Sequence, residues 1–198
     1  MSYEALRDTE LAAVVTFLEM RQRAQIDSPP SDLSLRRVEA PNASDYRRLF
    51  RMVGAPWLWF SRLIMDDADL EAIIGDPRVE LFEVIARTDQ VIGMLELDLR
   101  EAEACELAFV GLVPEWSGKG HGRWLLAEAV SKAWREGVKR VHVHTCSLDH
   151  PAALGAYRRA GFTAYKRAIE RFTDPRVLGV LPLDCAPQIP VLGTVAST

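Results

Sequence analysis

Apolar residues along this chain follow two rhythms, a period of two and a period near 3.6, and stretches of each kind alternate from residue 33 onward. Segments 33–38, 79–87, 91–100, 105–113, 139–146 and 162–172 read as strands, with Thr88, Asp89 and Gln90 as a hairpin loop between the second and third. Ser44 reads as the cap of a helix running through Met52, with Tyr46, Leu49, Phe50 and Val53 on one face. Helical patterns follow over 61–65 and 68–74. The clearest helix covers 122–137, where Leu125, Leu126, Ala129, Val130, Ala133 and Trp134 recur at the helical period and Gly137 is the stop. Pro151 and Gly161 bracket a last helix.

The flanks differ from this body. Segment 13–20 is rich in β-branched and aromatic residues, which favours a strand, although 4–25 can also be written as a helix. Ser28, Pro29, Pro30 and Ser31 break the pattern, so residues 1–31 are expected to be an N-terminal extension and 32–173 the main domain. In 174–198 the prolines forbid regular structure, yet the segment is too apolar for a free tail and is expected to pack on its own domain or on a second subunit. The densest aromatic cluster, Trp57, Trp59 and Phe60, reads first as core and second as a substrate wall.

Composition narrows the classes. With 198 residues, 48% hydrophobic and 26% charged, one ordinary domain with extensions is expected. A net charge of −4 argues against general nucleic-acid binding and is compatible with a cationic acceptor. Cys105, Cys146 and Cys185 are irregularly spaced, and no basic segment followed by an apolar core opens the chain, so a reduced cytoplasmic setting is expected. The apolar runs fall short of the ~20 residues that span a bilayer, so no membrane role is expected.

The chemistry concentrates where an apolar strand passes through Ser117, Gly118, Lys119, Gly120, His121, Gly122 and Arg123 into a helix. Glycines there permit positive φ and a close approach of a ligand to the amides. The helix start adds unpaired N–H groups and a partial positive charge, a natural seat for phosphate, with Lys119 and Arg123 beside it. It is not a Walker loop, because Gly120 rather than Ser or Thr follows Lys119; the alternating glycines also fail the dinucleotide pattern GxGxxG.

The loop resembles the acyl-CoA loop of the GNAT N-acetyltransferases, whose motif reads Arg/Gln-x-x-Gly-x-Gly/Ala, with Ser117 in place of the usual long side chain. A second segment, from Asp149 through Tyr157 to Gly161 and Phe162, resembles that family's later signature, with His150 where Asn is usual. The resemblance covers roughly 33–171. It implies a mixed α/β fold with a twisted, mainly antiparallel sheet and helices on both faces. It further implies acetyl-CoA as donor, pyrophosphate on the 118–122 amides, pantetheine along Leu112 and Val113, His150 nearby, and the Tyr157 hydroxyl close to the CoA sulfur.

Acetyl transfer to a primary amine then requires a base, for which Glu106 on the strand feeding the loop is the first candidate, ahead of Glu96 and Glu83. His142, His144 and Cys146 alternate on one strand, with His150 beyond, and formally make a metal set; strand spacing of about 6.5–7 Å along one face argues against convergence on one ion, so no metal is expected. The expected partners are acetyl-CoA and an amine acceptor, with a homodimer compatible with the two extensions. The rival reading is a non-catalytic acyl-CoA-binding or protein-interaction module on the same fold.

Overall fold

The computed structural model describes residues 2–193, so 194–198 of the expected C-terminal extension lie outside the described residues. Seven strands form one sheet: β1 (Glu10–Met20), β2 (Ser34–Arg37), β3 (Val79–Ile85), β4 (Val91–Asp98), β5 (Ala104–Leu112), β6 (Arg140–Cys146) and β7 (Thr163–Thr173). Their order is β2-β3-β4-β5-β6-β1-β7. Every pairing is antiparallel except β5 with β6, which is parallel. The helices are α1 (Ala43–Gly54), α2 (Asp67–Ile74), α3 (His121–Ala133) and α4 (Ala153–Arg159).

Cross-strand partners share a face of a sheet, which fixes the layers. Leu81, Glu96 and Phe109 lie in register and look toward α1, where the Tyr46 hydroxyl meets Glu96. Glu80 and Phe82, one residue away on β3, look the other way, toward Arg135 and Lys132 at the end of α3. Helices therefore cover both faces, as the period-two strands and the 3.6-period helices require.

Strands β2 to β7 lie within two residues of their sequence readings, while β1 starts three residues before its own, and four details of the helices differ. The cap of α1 is Asn42, whose side chain accepts from the Asp45 amide, rather than Ser44. Segment 61–65 forms turns instead of a helix, because the carbonyl of Phe60 takes the amides of both Leu63 and Ile64 and Arg62 is drawn inward to Glu96. The helix read over 122–137 ends at Ala133; Trp134 turns to extended backbone and its indole N–H meets the Met20 sulfur at 3.2 Å. The last helix is shorter than the Pro151–Gly161 bracket and begins at Ala153.

The strand read over 13–20 is β1, and it lies inside the sheet between β6 and β7. The described part of the C-terminal segment wraps back on the same chain. Leu181 and Ala186 pack on Leu58, and Gln188 donates to the Pro56 carbonyl at 2.9 Å. Its centre is Arg176, 1% exposed, which grips Asp174 with two nitrogens and donates to the carbonyls of Cys185, Ala186 and Ile189. A guanidinium can be buried this deeply only with its donors met.

Candidate active site

The site is set by a pairing that stops. Strands β5 and β6 pair only over Ala104–Glu106 with Arg140–His142, although β5 runs on to Leu112 and β6 to Cys146. A register shift between Glu96 and Leu97, opposite Leu107 and Phe109, re-aims β5 just past that point. The later half of β5, with Leu112 and Val113 at its end, thus has no strand partner on its β6 side among the described residues.

Beyond Val113 a 3₁₀ turn, Pro114–Trp116, leads to the glycine loop. Gly118 and Gly120 have φ of +76° and +85°, and Gly120 is the cap of α3 with no side chain bonded across it. A Cβ built on Gly118, Gly120 or Gly122 would meet nothing within 4 Å, so the space over these amides is open. Arg123 turns its amide onto Gly120 at 3.0 Å and its guanidinium onto Asp27 at 2.9 Å, while the Lys119 ammonium lies 5.5 Å from the Trp116 ring centre. The His121 ring packs on the same indole at 5.4 Å. This cradle fits a pyrophosphate: bare amides, the positive end of a helix and a cation without a carboxylate partner among the described residues.

On the α1 face, aromatic groups cluster. Phe109 sits between Phe50 at 4.8 Å and Trp59 at 5.3 Å. Trp59 can lie there because Gly54 has no side chain; a Cβ on Gly54 would stand 2.5 Å from that of Trp59. The indole N–H of Trp59 reaches Asp149 at 3.0 Å, across the gap to the loop after β6. Asp149 also accepts from the Thr145 hydroxyl and the Cys146 amide. Trp57 meets His150 edge-on at 5.1 Å, and His150 Nδ1 accepts the Ala152 amide at 3.1 Å. Trp59 thus packs against the core, as the first reading expects, and Phe60 extends the cluster to Phe172 on β7.

Tyr157 is buried on α4, its ring against Phe162. Its hydroxyl makes no hydrogen bond to the described residues, and burial pushes its pKa well up, so it stays a proton donor through the neutral range. Glu106 faces His144, with Oε1 and Nδ1 3.2 Å apart. That contact lowers the pKa of Glu106 and raises that of His144. His142 lies 3.2 Å from Glu101. Among the described residues no three His, Cys, Asp or Glu side chains stand close enough to hold a metal ion.

The other carboxylates are engaged elsewhere. Glu83 pairs with Arg36 at the β2 side of the sheet. Glu96 is sealed inside, bonded to Tyr46 and, at 2.7 Å, to Arg62. Sequence reasoning did not find this triad or the part played by Asp149. The available signal was Arg62 in an otherwise apolar run and Glu96 in the middle of a hydrophobic strand.

The Glu106–His144 pair implies a pH signature. A folded pKa above the unfolded one gives His144 stabilisation that is present below about 6.5 and lost as pH rises through the folded value. The depressed Glu106 value gives stabilisation present above about 4.5 and lost as pH falls through its folded value. Removing the pair with His144→Asn should therefore cost most between about pH 4.5 and 6.5. Urea midpoints of parent and variant that differ equally at pH 5.5 and pH 8.5 would contradict the pairing.

The family model "Acetyltransferase (GNAT) family" matches residues 46–162, which hold most of α1, the aromatic cluster, the glycine loop and Tyr157. Among solved structures, a GCN5-related N-acetyltransferase from Sphaerobacter thermophilus is 19% identical with a TM-score of 0.60, over 81% of this chain and 51% of that one. An acetyltransferase from Thermus thermophilus is 22% identical with a TM-score of 0.51, over 72% of this chain and 97% of that one. A tandem GNAT protein from the clavulanic acid biosynthesis pathway is 14% identical with a TM-score of 0.52, over 82% of this chain and 53% of that one. The chain spans about half the length of the first and third of these. No curated protein matches the sequence. The seven-stranded, mostly antiparallel sheet, the glycine loop that opens α3 and the family match over more than half the chain give one conclusion: this chain belongs to the GNAT acetyltransferase family.

Proposed function

We propose that the protein transfers the acetyl group of acetyl-CoA to a primary amine by direct attack within a ternary complex, in the cytoplasm and without a metal. One observation carries this reading: the uncapped start of α3, behind glycines with open space above them, lies beside the stretch of β5 that has no β6 partner. The amides of 118–122 with Lys119 would hold the pyrophosphate, and the free side of β5 through Leu112 and Val113 would hold the pantetheine as an added strand. Ser117 and His150 would also contact the bound donor, and Arg123, tied to Asp27, would brace the rim of the seat.

For the chemistry, Glu106 is a carboxylate at neutral pH and would take the proton from the acceptor amine, directly or through water. Tyr157 would donate its proton to the leaving thiolate. Holding amine and thioester together supplies much of the rate on its own, so no covalent enzyme intermediate is required.

Titration calorimetry tests the donor site. Acetyl-CoA and CoA should each bind in the micromolar range, and Gly120→Asp should weaken both at least about tenfold, because it sets a carboxylate and a strained positive φ against the pyrophosphate. Absence of binding in the parent protein, or unchanged binding in the variant, would remove the donor site and the enzymatic reading with it.

A further inference from the structure

Strand β7 is the last strand of the sheet and, among the described residues, pairs only with β1. It is eleven residues long, contains no proline, and its side chains from Thr163 to Glu170 are exposed apart from a half-buried Ala168. Its direction of pairing can be read off one bond. The amide of Asp174 donates to the Thr9 carbonyl, which continues the register that sets Glu10 opposite Thr173. In an antiparallel ladder alternate residues bond to one side. The even residues 166–172 therefore bond toward β1, and Arg167, Ile169 and Arg171 direct their N–H and C=O groups outward. No backbone group of another described segment meets them.

Such an edge pairs with other chains unless it is blocked. Here it carries uncovered apolar surface, with Ile169 73% exposed and its cross-strand neighbour Val14 48% exposed. It also carries charges that have no opposite partner. Lys166, Arg167 and Glu170 make no salt bridge among the described residues; Lys166 rests over the Phe17 ring at 5.0 Å. Lys166 and Glu170 share a face but lie four residues apart, about 13 Å along a strand, too far to pair within it.

We propose that β7 is a homodimer edge: two copies pair their β7 strands antiparallel about a two-fold axis at Ala168, joining the two sheets. The outward-bonding residues are odd-numbered, so symmetric pairs must sum to an even number. An axis at Ala168 sets Lys166 opposite Glu170 twice, and lays the Arg167 stem on Ile169 on the other face. An axis at Arg167 would oppose Arg167 to itself, and one at Ile169 would oppose Arg167 to Arg171. Of these registers only the Ala168 axis pairs Lys166 with Glu170 and keeps every arginine from facing another, and like charges directly opposite are unfavourable.

Sedimentation velocity of the full chain tests this through a charge swap. The parent should sediment as a dimer of the 22.2 kDa chain. Glu170→Lys should weaken the dimer by about tenfold or more, since it sets two lysine pairs across the axis. The double variant Lys166→Glu/Glu170→Lys should restore it. A monomeric parent at tens of micromolar would overturn the proposal. So would an undiminished dimer in Glu170→Lys, or a double variant that shows a native circular dichroism spectrum and does not dimerise.

Discussion

Replacing Glu96 with alanine should cost about 3–5 kcal/mol of folding stability, because it strands a buried guanidinium. Glu96 is fully buried, and its two oxygens take the Tyr46 hydroxyl and an Arg62 nitrogen. Arg62 is 8% exposed, lies 5.4 Å from the Phe109 ring centre, and its Nε already has no partner among the described residues. Burial disfavours the Glu96 carboxylate and the guanidinium beside it favours it. Arginine has no such freedom and keeps its charge whatever its surroundings. Without Glu96 that charge has no counter-ion, the Tyr46 hydroxyl loses its acceptor, and a cavity opens in the layer between α1 and the sheet. Glu96→Gln, whose amide oxygen can still accept from Arg62 while its NH2 donates to the Tyr46 oxygen, should cost less. An all-apolar replacement of the triad, Tyr46→Phe with Arg62→Met and Glu96→Leu, should cost less than Glu96→Ala alone. Urea unfolding at pH 7 orders the three variants; a Glu96→Ala midpoint close to the parent's would show that the triad carries no buried charge.

Replacing Tyr157 with phenylalanine should lower kcat about a hundredfold or more while leaving stability nearly unchanged. The ring stays, and it is the ring that packs on Phe162. The hydroxyl bonds to none of the described residues, so its removal orphans no partner. What disappears is the hydroxyl proton that the proposed mechanism passes to the departing thiolate. The loss should appear in kcat and not in the affinity for acetyl-CoA, because the cradle of 118–122 does not use Tyr157. Stopped assays on a panel of primary amines, with calorimetry on the same preparation, separate the two quantities. Unchanged turnover in Tyr157→Phe would assign leaving-group protonation to water or to another residue.

The two variants differ in what reveals them. Tyr157 is singled out in the sequence because its spacing to Gly161 and Phe162 resembles a family signature, and a motif survives in one dimension. The Glu96 triad joins residues 46, 62 and 96, which no local window contains, and Arg62 lies in a stretch whose period suggests a helix that does not form. A buried charge drew the backbone into turns there, and propensity cannot register a partner thirty-four residues away.

Local periodicity, the need for φ > 0 at Gly118 and Gly120, and fixed spacings between motif residues were enough to place the strands of the body, α3, the glycine loop and the family. They were not enough to send β1, beyond a proline break, into the sheet between β6 and β7, since strand neighbours are chosen by which edges remain unpaired after collapse. Nor could they show that Trp59 would cross to Asp149, that Glu106 would meet His144, or that Arg176 would gather the carbonyls of the C-terminal segment. The Trp59 and Arg176 contacts satisfy polar groups that packing has wholly or partly removed from water, whereas the Glu106–His144 contact stays partly exposed and forms because β5 and β6 lie side by side; both kinds depend on how the whole chain has folded.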